Sequence, residues 1–434
     1  MSLPIAHQPL DAVVPAVTQE CLEKGHTERK QAVRLDTMRV PSAEALLSAH
    51  AWGAACAGRP PAARLPLIVM SPTLLPRPDV NPIVRETRSV YRSLLGGGFA
   101  DMRRMPSEVI HDADKCTVHR YEPTAAPDPT ALPVLLIPPM AATPVCFDLR
   151  RGCSMVEFLL DESRPTYLVD YGDISTLRDQ DLGLEHWIDE VLPDAIEAAL
   201  ADSGAPGIHL VGWCLGGILE MFTTAAHPDL PIASVTSIAS PFDFGEVRVL
   251  GPVRVLETLT GGLLTTGIVR TLGGIPGRLN GLIYRWLDPV KQIKKPFVQL
   301  QSRDDPDTLA QIEAVDVLMD TMEAYPGRSI SQIYHSLIRT NRMSRGELHL
   351  KDGRVVELGS VTVPVMAIAG TGDLFFAPPA SAHHVATLLT NSPRVRLETA
   401  PGGHLGVLTG RTARDTTWAY VQEFLSAHDR ADQR

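Results

Sequence analysis

Ile208-His209-Leu210-Val211-Gly212-Trp213-Cys214-Leu215-Gly216-Gly217 joins a β-rich run to a glycine-punctuated turn, and an apolar segment of helical character follows. Strand, sharp turn and helix in that order, with one reactive side chain at the turn, is the pattern of a nucleophile elbow, here carrying cysteine in place of serine. The glycines answer a steric need. The turn holds its central residue in a strained conformation, and side chains at 212 or 216 would collide with neighbouring backbone. A helix starting just after the cysteine also offers partial positive charge, which favours the ionised form of a thiol at that position. The plain alternative is a buried structural cysteine between chance glycines, since free Cys is among the most buried residue types. The strand before and the helix after weigh against it.

Outward from this box, Val134-Leu135-Leu136-Ile137, Thr166-Tyr167-Leu168-Val169, Ala233–Ala239, Val363–Ile368 and Val395–Thr399 read as further strands. Helical patterns fall between them: an amphipathic segment near 150–160, then Leu184, Ile188, Val191, Ala195 and Leu200 on one face, with Pro193 predicting a kink. Alternating β and α runs predict a mostly parallel, doubly wound sheet with helices on both faces. After the strand ending near Ala239 the alternation stops for about a hundred residues, with Gly-rich turns and helical patterns such as Ile333–Ile338. An insertion there would sit over the carboxyl ends of the strands, where ligands bind in such sheets. The expected class is therefore an α/β-hydrolase fold with a helical cap. Its expected divisions are an N-terminal extension at 1–105, core at 106–244, cap at 245–358 and core again at 359–434. Within the Pro-rich extension one helix is predicted, capped by Asn81, started at Pro82 and stopped by Gly96-Gly97-Gly98.

A nucleophile needs a base, and in this fold the chain order is nucleophile, acid, histidine. Asp373 in Gly370-Thr371-Gly372-Asp373 follows a predicted strand, and His404 in Pro401-Gly402-Gly403-His404-Leu405-Gly406 follows the last one. His404 is expected to take the thiol proton, with Asp373 fixing its tautomer. A turn-stabilising Asp and a surface His are the plain readings of each alone, and Asp243 in Ser240-Pro241-Phe242-Asp243-Phe244 is the competing acid. The tandem His383-His384 reads as a solvated helix face. Backbone N–H groups of Leu215 and Met140 are the expected oxyanion donors, because Pro138 and Pro139 have no N–H to offer. Cys146 and Cys153 lack the elbow context and read as packing residues.

Composition narrows the rest. The chain has 434 residues, 44% of them hydrophobic, and a formal net charge of -10 without a basic stripe, which argues against a nucleic-acid partner. Its six cysteines form no CxxC pair or metal-ligand spacing, and Met1-Ser2-Leu3-Pro4 opens no signal-peptide pattern, so a reduced, cytoplasmic protein without a metal is expected. No apolar run approaches the roughly 20 residues of a spanning helix.

Over about 106–425 the chain resembles the polyhydroxyalkanoate synthases, cysteine-dependent enzymes that polymerise 3-hydroxyacyl-CoA into storage polyester. The carriers are Leu136-Ile137-Pro138-Pro139 followed by Phe147-Asp148-Leu149, the box at Cys214, Asn341-Arg342-Met343 with Gly346-Glu347-Leu348, Val363-Pro364-Val365 leading to Asp373, and Pro401 to Val407 around His404. The family's Trp-Asn-x-Asp-Ser/Thr stretch is replaced by Pro296–Thr308, and the His that commonly follows the acid is Leu374. The resemblance implies an acyl enzyme on Cys214, transfer to a hydroxyl, no bound cofactor, and Asp148 as a hydrogen-bonding residue beside the site. It also admits a granule surface, a homodimer or a second synthase subunit as partners. Dienelactone hydrolases share the Gly-x-Cys-x-Gly-Gly box but lack the cap. A thioesterase or polyester hydrolase would use the same triad, and a catalytically silent scaffold would have no need of it. The apolar stretch Val249–Leu279 reads as a cap helix, with a granule or subunit contact as its alternative.

Overall fold

The computed structural model describes residues 98–247, 259–260, 262–286, 289–302 and 304–429. The helix expected near 82–95 and most of the N-terminal extension lie outside the described residues, as do parts of Val249–Leu279.

Eight strands form the central sheet: β1 Ser107–Ala113, β2 Cys116–Tyr121, β3 Val134–Ile137, β4 Thr166–Asp170, β5 Ile208–Trp213, β6 Ile232–Ile238, β7 Val365–Gly370 and β8 Val395–Ala400. Their spatial order is β1-β2-β4-β3-β5-β6-β7-β8. β2 runs antiparallel to both its neighbours, and from β4 to β8 every pairing is parallel. The fold expected from the sequence is therefore the one observed. The β1–β2 hairpin is an edge addition that the sequence reading did not resolve into strands.

β3 and β5 are buried along their whole lengths, as strands covered on both faces must be. Alternation along β3 divides two cores: Leu135 and Ile137 join one, Val134 and Leu136 the other. Helix α1 (Met155–Asp161) packs in the second. Helices α2 (Leu192–Ser203) and α3 (Leu215–Ala226) pack in the first. Helix α3 buries every residue except Ala226, Glu220, Thr223 and Thr224 included, because it lies under the sheet rather than at the surface. The kink expected at Pro193 is a π turn over Trp187–Val191 that hands over to α2, with Pro193 in the first turn, where a missing N–H costs least.

Observed strand ends differ from the expected ones by a residue or two for local reasons. β7 starts at Val365 because Pro364 has no N–H for the ladder, and β6 stops at Ile238 because Ala239 turns to φ 51°. Between β6 and β7 come α4 (Leu263–Leu272), α5 (Gly277–Trp286), α6 (Pro289–Gln301) and α7 (Pro306–Asp320), then a helical stretch over Gly327–Arg339. An antiparallel pair, Gly274–Ile275 with Tyr325–Pro326, ties the two ends of this helical group. The group is fastened to the core by hydrogen bonds. Ser329 Oγ donates to Leu182 O at 2.7 Å, Glu323 N to Ala141 O at 2.8 Å, and Gln311 Nε2 to Thr409 O at 2.7 Å. Among the described residues no helix is long and apolar enough to cross a membrane.

Gly216 sits where α3 meets the end of β3: a Cβ there would lie 2.1 Å from Ile137 O and 2.9 Å from Pro138 C. Gly267, inside α4, has nothing within 4 Å of such an atom. Gly216→Ala should therefore lose about 3 kcal/mol or more in urea unfolding, while Gly267→Ala should be neutral or stabilise by up to about 1 kcal/mol. Equal effects of the two would contradict this packing.

Candidate active site

Cys214 occupies the break between β5 and α3 with φ 56° and ψ −119°, outside the regions an L-residue prefers. Its strain is held by neighbours rather than by its own preference. Cys214 N donates to Ile238 O at 2.8 Å, a Cβ at Gly212 would lie 2.5 Å from Gly217 N, and one at Gly217 would lie 2.2 Å from Ser240 Oγ. Backbone thus packs on backbone at Gly212 and against the Ser240 side chain at Gly217, and the thiol is presented at the carboxyl end of the sheet with the start of α3 behind it.

The other two expected residues arrive from the same end of the sheet. Asp373 follows β7, His404 follows β8, and His404 Nδ1 hydrogen-bonds Asp373 Oδ2 at 2.7 Å. Their loops are zipped together: Gly372 N donates to Gly402 O at 2.7 Å and Thr371 N to Ala400 O at 2.9 Å. A Cβ at Gly370 would lie 2.8 Å from Gly402 O, so these loops approach closely because the residues are glycines. Asp373 Oδ1 accepts Phe376 N at 3.0 Å, which leaves the carboxylate bonded through both oxygens.

The electrostatics follow from burial against charge. Burial alone would raise the Asp373 carboxyl, yet the His404 ring and the backbone donors at Phe376 and Ala377 hold it below its ordinary value. Burial alone would depress the His404 imidazole, but the Cys214 sulfur and the Asp373 carboxylate outweigh it and lift the value from 6.5 to about 10. The remaining ring nitrogen, Nε2, is buried and makes no well-formed hydrogen bond. Cys214 is thus the chemical neighbour left to it, and a thiol–imidazole contact commonly tightens only when substrate is bound. The structure brings Cys214, His404 and Asp373 together.

Met140 lies in the turn after β3 and Leu215 is the first residue of α3, where a helix leaves its N–H groups unspent. The contact of Gly216 with Ile137 and Pro138 sets these two segments side by side, and Met140 and Leu215 share one core cluster. Asp148 is 3% exposed and accepts Met105 N at 2.7 Å, closing a loop behind the site. Asp243 is committed elsewhere: its Oδ1 accepts Gly245 N and Asn341 Nδ2, both at 2.7 Å, whereas His404 has Asp373. The reading of His383 and His384 as a solvated face needs correction. Both are half-buried, bonding Glu398 O at 2.9 Å and Ser344 O at 2.8 Å, because their short helix is packed between β8 and the turn Arg342–Arg345. Cys146 and Cys153 are buried, and burial pushes both thiols up. Among the described residues no His, Cys, Asp or Glu cluster is placed to hold a metal.

Four aromatic residues escaped the sequence reading. Trp213 donates Nε1–H to His404 O at 3.2 Å, with the two rings 5.3 Å apart. Phe376 stacks on His404 at 4.4 Å, and Tyr284 of α5 stacks on Phe376 at 4.9 Å. Burial raises the phenols of Tyr284 and Tyr325, and the Cys214 sulfur raises both further. Trp213 could have been suspected from its place beside the cysteine and Phe376 from its place three residues after the acid. The two tyrosines carry no local signal.

A family model described as the alpha/beta hydrolase fold matches residues 161–411. The chain is similar to the poly(3-hydroxyalkanoate) polymerase subunit PhaC of Allochromatium vinosum, 25% identical over 328 residues, covering 75% of this chain and 90% of that protein. It is similar to the protein of the same name from Haloarcula marismortui, 22% identical and covering 75% and 68% of the two chains. The same holds for the one from Synechocystis, 25% identical and covering 71% and 82%.

Because the histidine gains proton affinity on folding, its pairing contributes stability that is full below pH 6.5, declines as the unfolded ring loses its proton, and is gone above about pH 10. The stability difference between wild type and His404→Gln, followed by urea unfolding, should therefore shrink steadily from pH 6.5 to pH 10. A difference constant over that range would contradict the pairing.

Proposed function

The chain belongs to the alpha/beta hydrolase fold family, and from that premise we propose that Cys214, His404 and Asp373 act as a nucleophile–base–acid triad in acyl transfer from a 3-hydroxyacyl-CoA. It is an acyltransferase of the polyhydroxyalkanoate synthase type. The observation that carries the triad is the buried line of Cys214, the His404 ring and Asp373, with the 2.7 Å carboxylate bond on the far nitrogen.

Cys214 sulfur attacks the thioester carbonyl with the thiol's proton already held on the His404 ring, as the raised proton affinity of that ring requires. The oxyanion that forms is met by the backbone N–H of Leu215 and of Met140. Collapse breaks the bond to coenzyme A, whose sulfur leaves with the proton from His404, and the acyl group remains as a thioester on Cys214. One thioester replaces another, so the step is nearly isoenergetic. A substrate or chain-end hydroxyl then gives its proton to His404 and attacks the Cys214 thioester, which forms an ester and restores the thiol. Asp373 keeps the ring oriented and stabilises the imidazolium through both halves. Water would compete with the hydroxyl for the acyl enzyme. The aromatic cover of Trp213, Phe376 and Tyr284 supports transfer over hydrolysis by enclosing the ring.

We take the segment 245–358 as a cap over this site and the cytoplasm as its setting. Leu263, Phe297 and Leu300, at 75%, 66% and 69% exposed on the cap helices, support a contact with a polyester granule, a second copy or a second synthase subunit.

With 3-hydroxybutyryl-CoA, wild type should release free coenzyme A and accumulate polymer, and Cys214→Ala should do neither. Free acid as the sole product would make the protein a thioesterase, and equal release by both proteins would remove Cys214 from the mechanism. Asp373→Asn should lower kcat by about 10³ to 10⁴, while Asp243→Asn should change it by less than about tenfold and act on stability through its Asn341 bond.

A further inference from the structure

Helix α5 reaches the site at two places. Tyr284 stacks on Phe376 at 4.9 Å and 17°, and Phe376 stacks on the His404 ring at 4.4 Å and 23°. Phe376 meets the carboxylate as well, since its backbone N–H donates to Asp373 Oδ1 at 3.0 Å. One residue therefore bears on both partners of the 2.7 Å bond between His404 and Asp373, with its ring on one and its N–H on the other. The second place lies one turn earlier. Asn280, 2% exposed, donates Nδ2–H to Glu323 O at 2.8 Å, and Glu323 N donates in turn to Ala141 O at 2.8 Å. Ala141 belongs to the turn Pro139–Ala142, closed by Ala142 N on Pro139 O at 2.9 Å, and this turn carries Met140. The backbone of Glu323 is thus a bridge of two hydrogen bonds from α5 to the segment after β3.

Residues four apart lie on one helix face, so Asn280 and Tyr284 turn the same side of α5 toward Glu323 and Phe376. The seat of that helix is close. A Cβ at Gly277 would strike Met322 O and one at Gly281 would strike Met319 O, so α5 runs with its backbone against the end of α7 and the residues just after it. Arg285 Nη2 adds bonds to Asp316 O at 3.2 Å and Asp320 Oδ1 at 2.6 Å on α7. A helix fixed in this way holds its two contacts at a set distance from each other.

We propose that Asn280 and Tyr284 are positioning residues for acyl transfer, through which the seat of α5 sets two parts of the site at once: Tyr284 holds the His404 ring by way of Phe376, and Asn280 holds the Met140 turn by way of Glu323. This rests on the acyl-transfer reading and adds the element that aligns its base with its oxyanion donor. The faces of aromatic rings attract cations. Phe376 pressed on the imidazole therefore favours the protonated ring, and with it the thiolate of Cys214. Release of Phe376 would weaken that ion pair. Release of the Met140 turn would leave the thiolate as it is and harm only the carbonyl step, because a displaced donor no longer stabilises the oxyanion. The two residues should fail in different ways.

The test reads two reactions of Cys214. Alkylation by iodoacetamide, followed on the peptide that contains Cys214, needs the thiolate but forms no oxyanion, whereas release of coenzyme A from 3-hydroxybutyryl-CoA needs both. Tyr284→Leu removes the stacked ring. It should move the midpoint of alkylation rate against pH upward by about half a unit and lower kcat by about tenfold. Tyr284→Phe keeps the ring and should restore both. Asn280→Ala should lower kcat by about tenfold and leave the alkylation profile unchanged, and so should Asn280→Leu, which is close to asparagine in size but has no N–H to give. An unshifted profile in Tyr284→Leu, a Tyr284→Phe variant as impaired as Tyr284→Leu, or wild-type kcat in both Asn280 variants would overturn the proposal. Alkylation and kcat falling together in the Asn280 variants would also overturn it and leave Asn280 as packing. A wild type alkylated at Cys214 that releases no coenzyme A would overturn the acyl-transfer reading and the Asn280 half with it, while the alkylation profile of Tyr284→Leu would still decide the Tyr284 half.

Discussion

Everything at the site depends on backbone touching backbone around Cys214. The turn from β5 to α3 is tight enough to hold a non-glycine residue at φ 56° because Gly212, Gly216 and Gly217 let the helix start, the strand end and the β3 turn close to van der Waals distance. The strained residue is over-determined by a bond to Ile238 O and by the burial of α3. The same contact places the N–H of Leu215 beside the turn that carries Met140. One packing constraint thereby sets the direction of the Cys214 side chain and the position of the Leu215 N–H, before His404 or Asp373 is considered.

A second backbone contact does the same for His404. The loops after β7 and β8 are joined through Gly370, Gly372 and Gly402, so the carboxylate and the imidazole meet with little freedom to lose. Burial would penalise each charge alone. Together they offset it, and the ring's proton is held against both the carboxylate and the thiol. The aromatic rings then flank the imidazole and connect it to α5, so the helical group between β6 and β7 reaches His404 through Phe376.

Much of this was legible in the sequence, and what was legible was local. Val134–Ile137 reads as a strand, Gly212 to Gly217 as an elbow, and Cys214, Asp373 and His404 as residues whose chain order brings them to one end of the sheet, since each is a pattern with a steric or chemical cause. The hairpin Ser107–Tyr121 was blurred because β1 is largely exposed and shows no clean alternation. His383 and His384 were misjudged because their carbonyl partners, Glu398 and Ser344, lie on other elements. Asp243 stood at a strand end just as Asp373 does, and only its tertiary partner Asn341 separates their roles. Tyr284 comes from α5 and stacks on Phe376 after β7, a juxtaposition that no periodicity encodes.

The central claim is a covalent acyl group on Cys214, and intact-mass and peptide mass spectrometry after rapid quenching with 3-hydroxybutyryl-CoA tests it most directly. The account predicts a 3-hydroxybutyryl adduct confined to the peptide that contains Cys214, released by hydroxylamine and absent in Cys214→Ala. An adduct on any other residue, or turnover with none on Cys214, would contradict it.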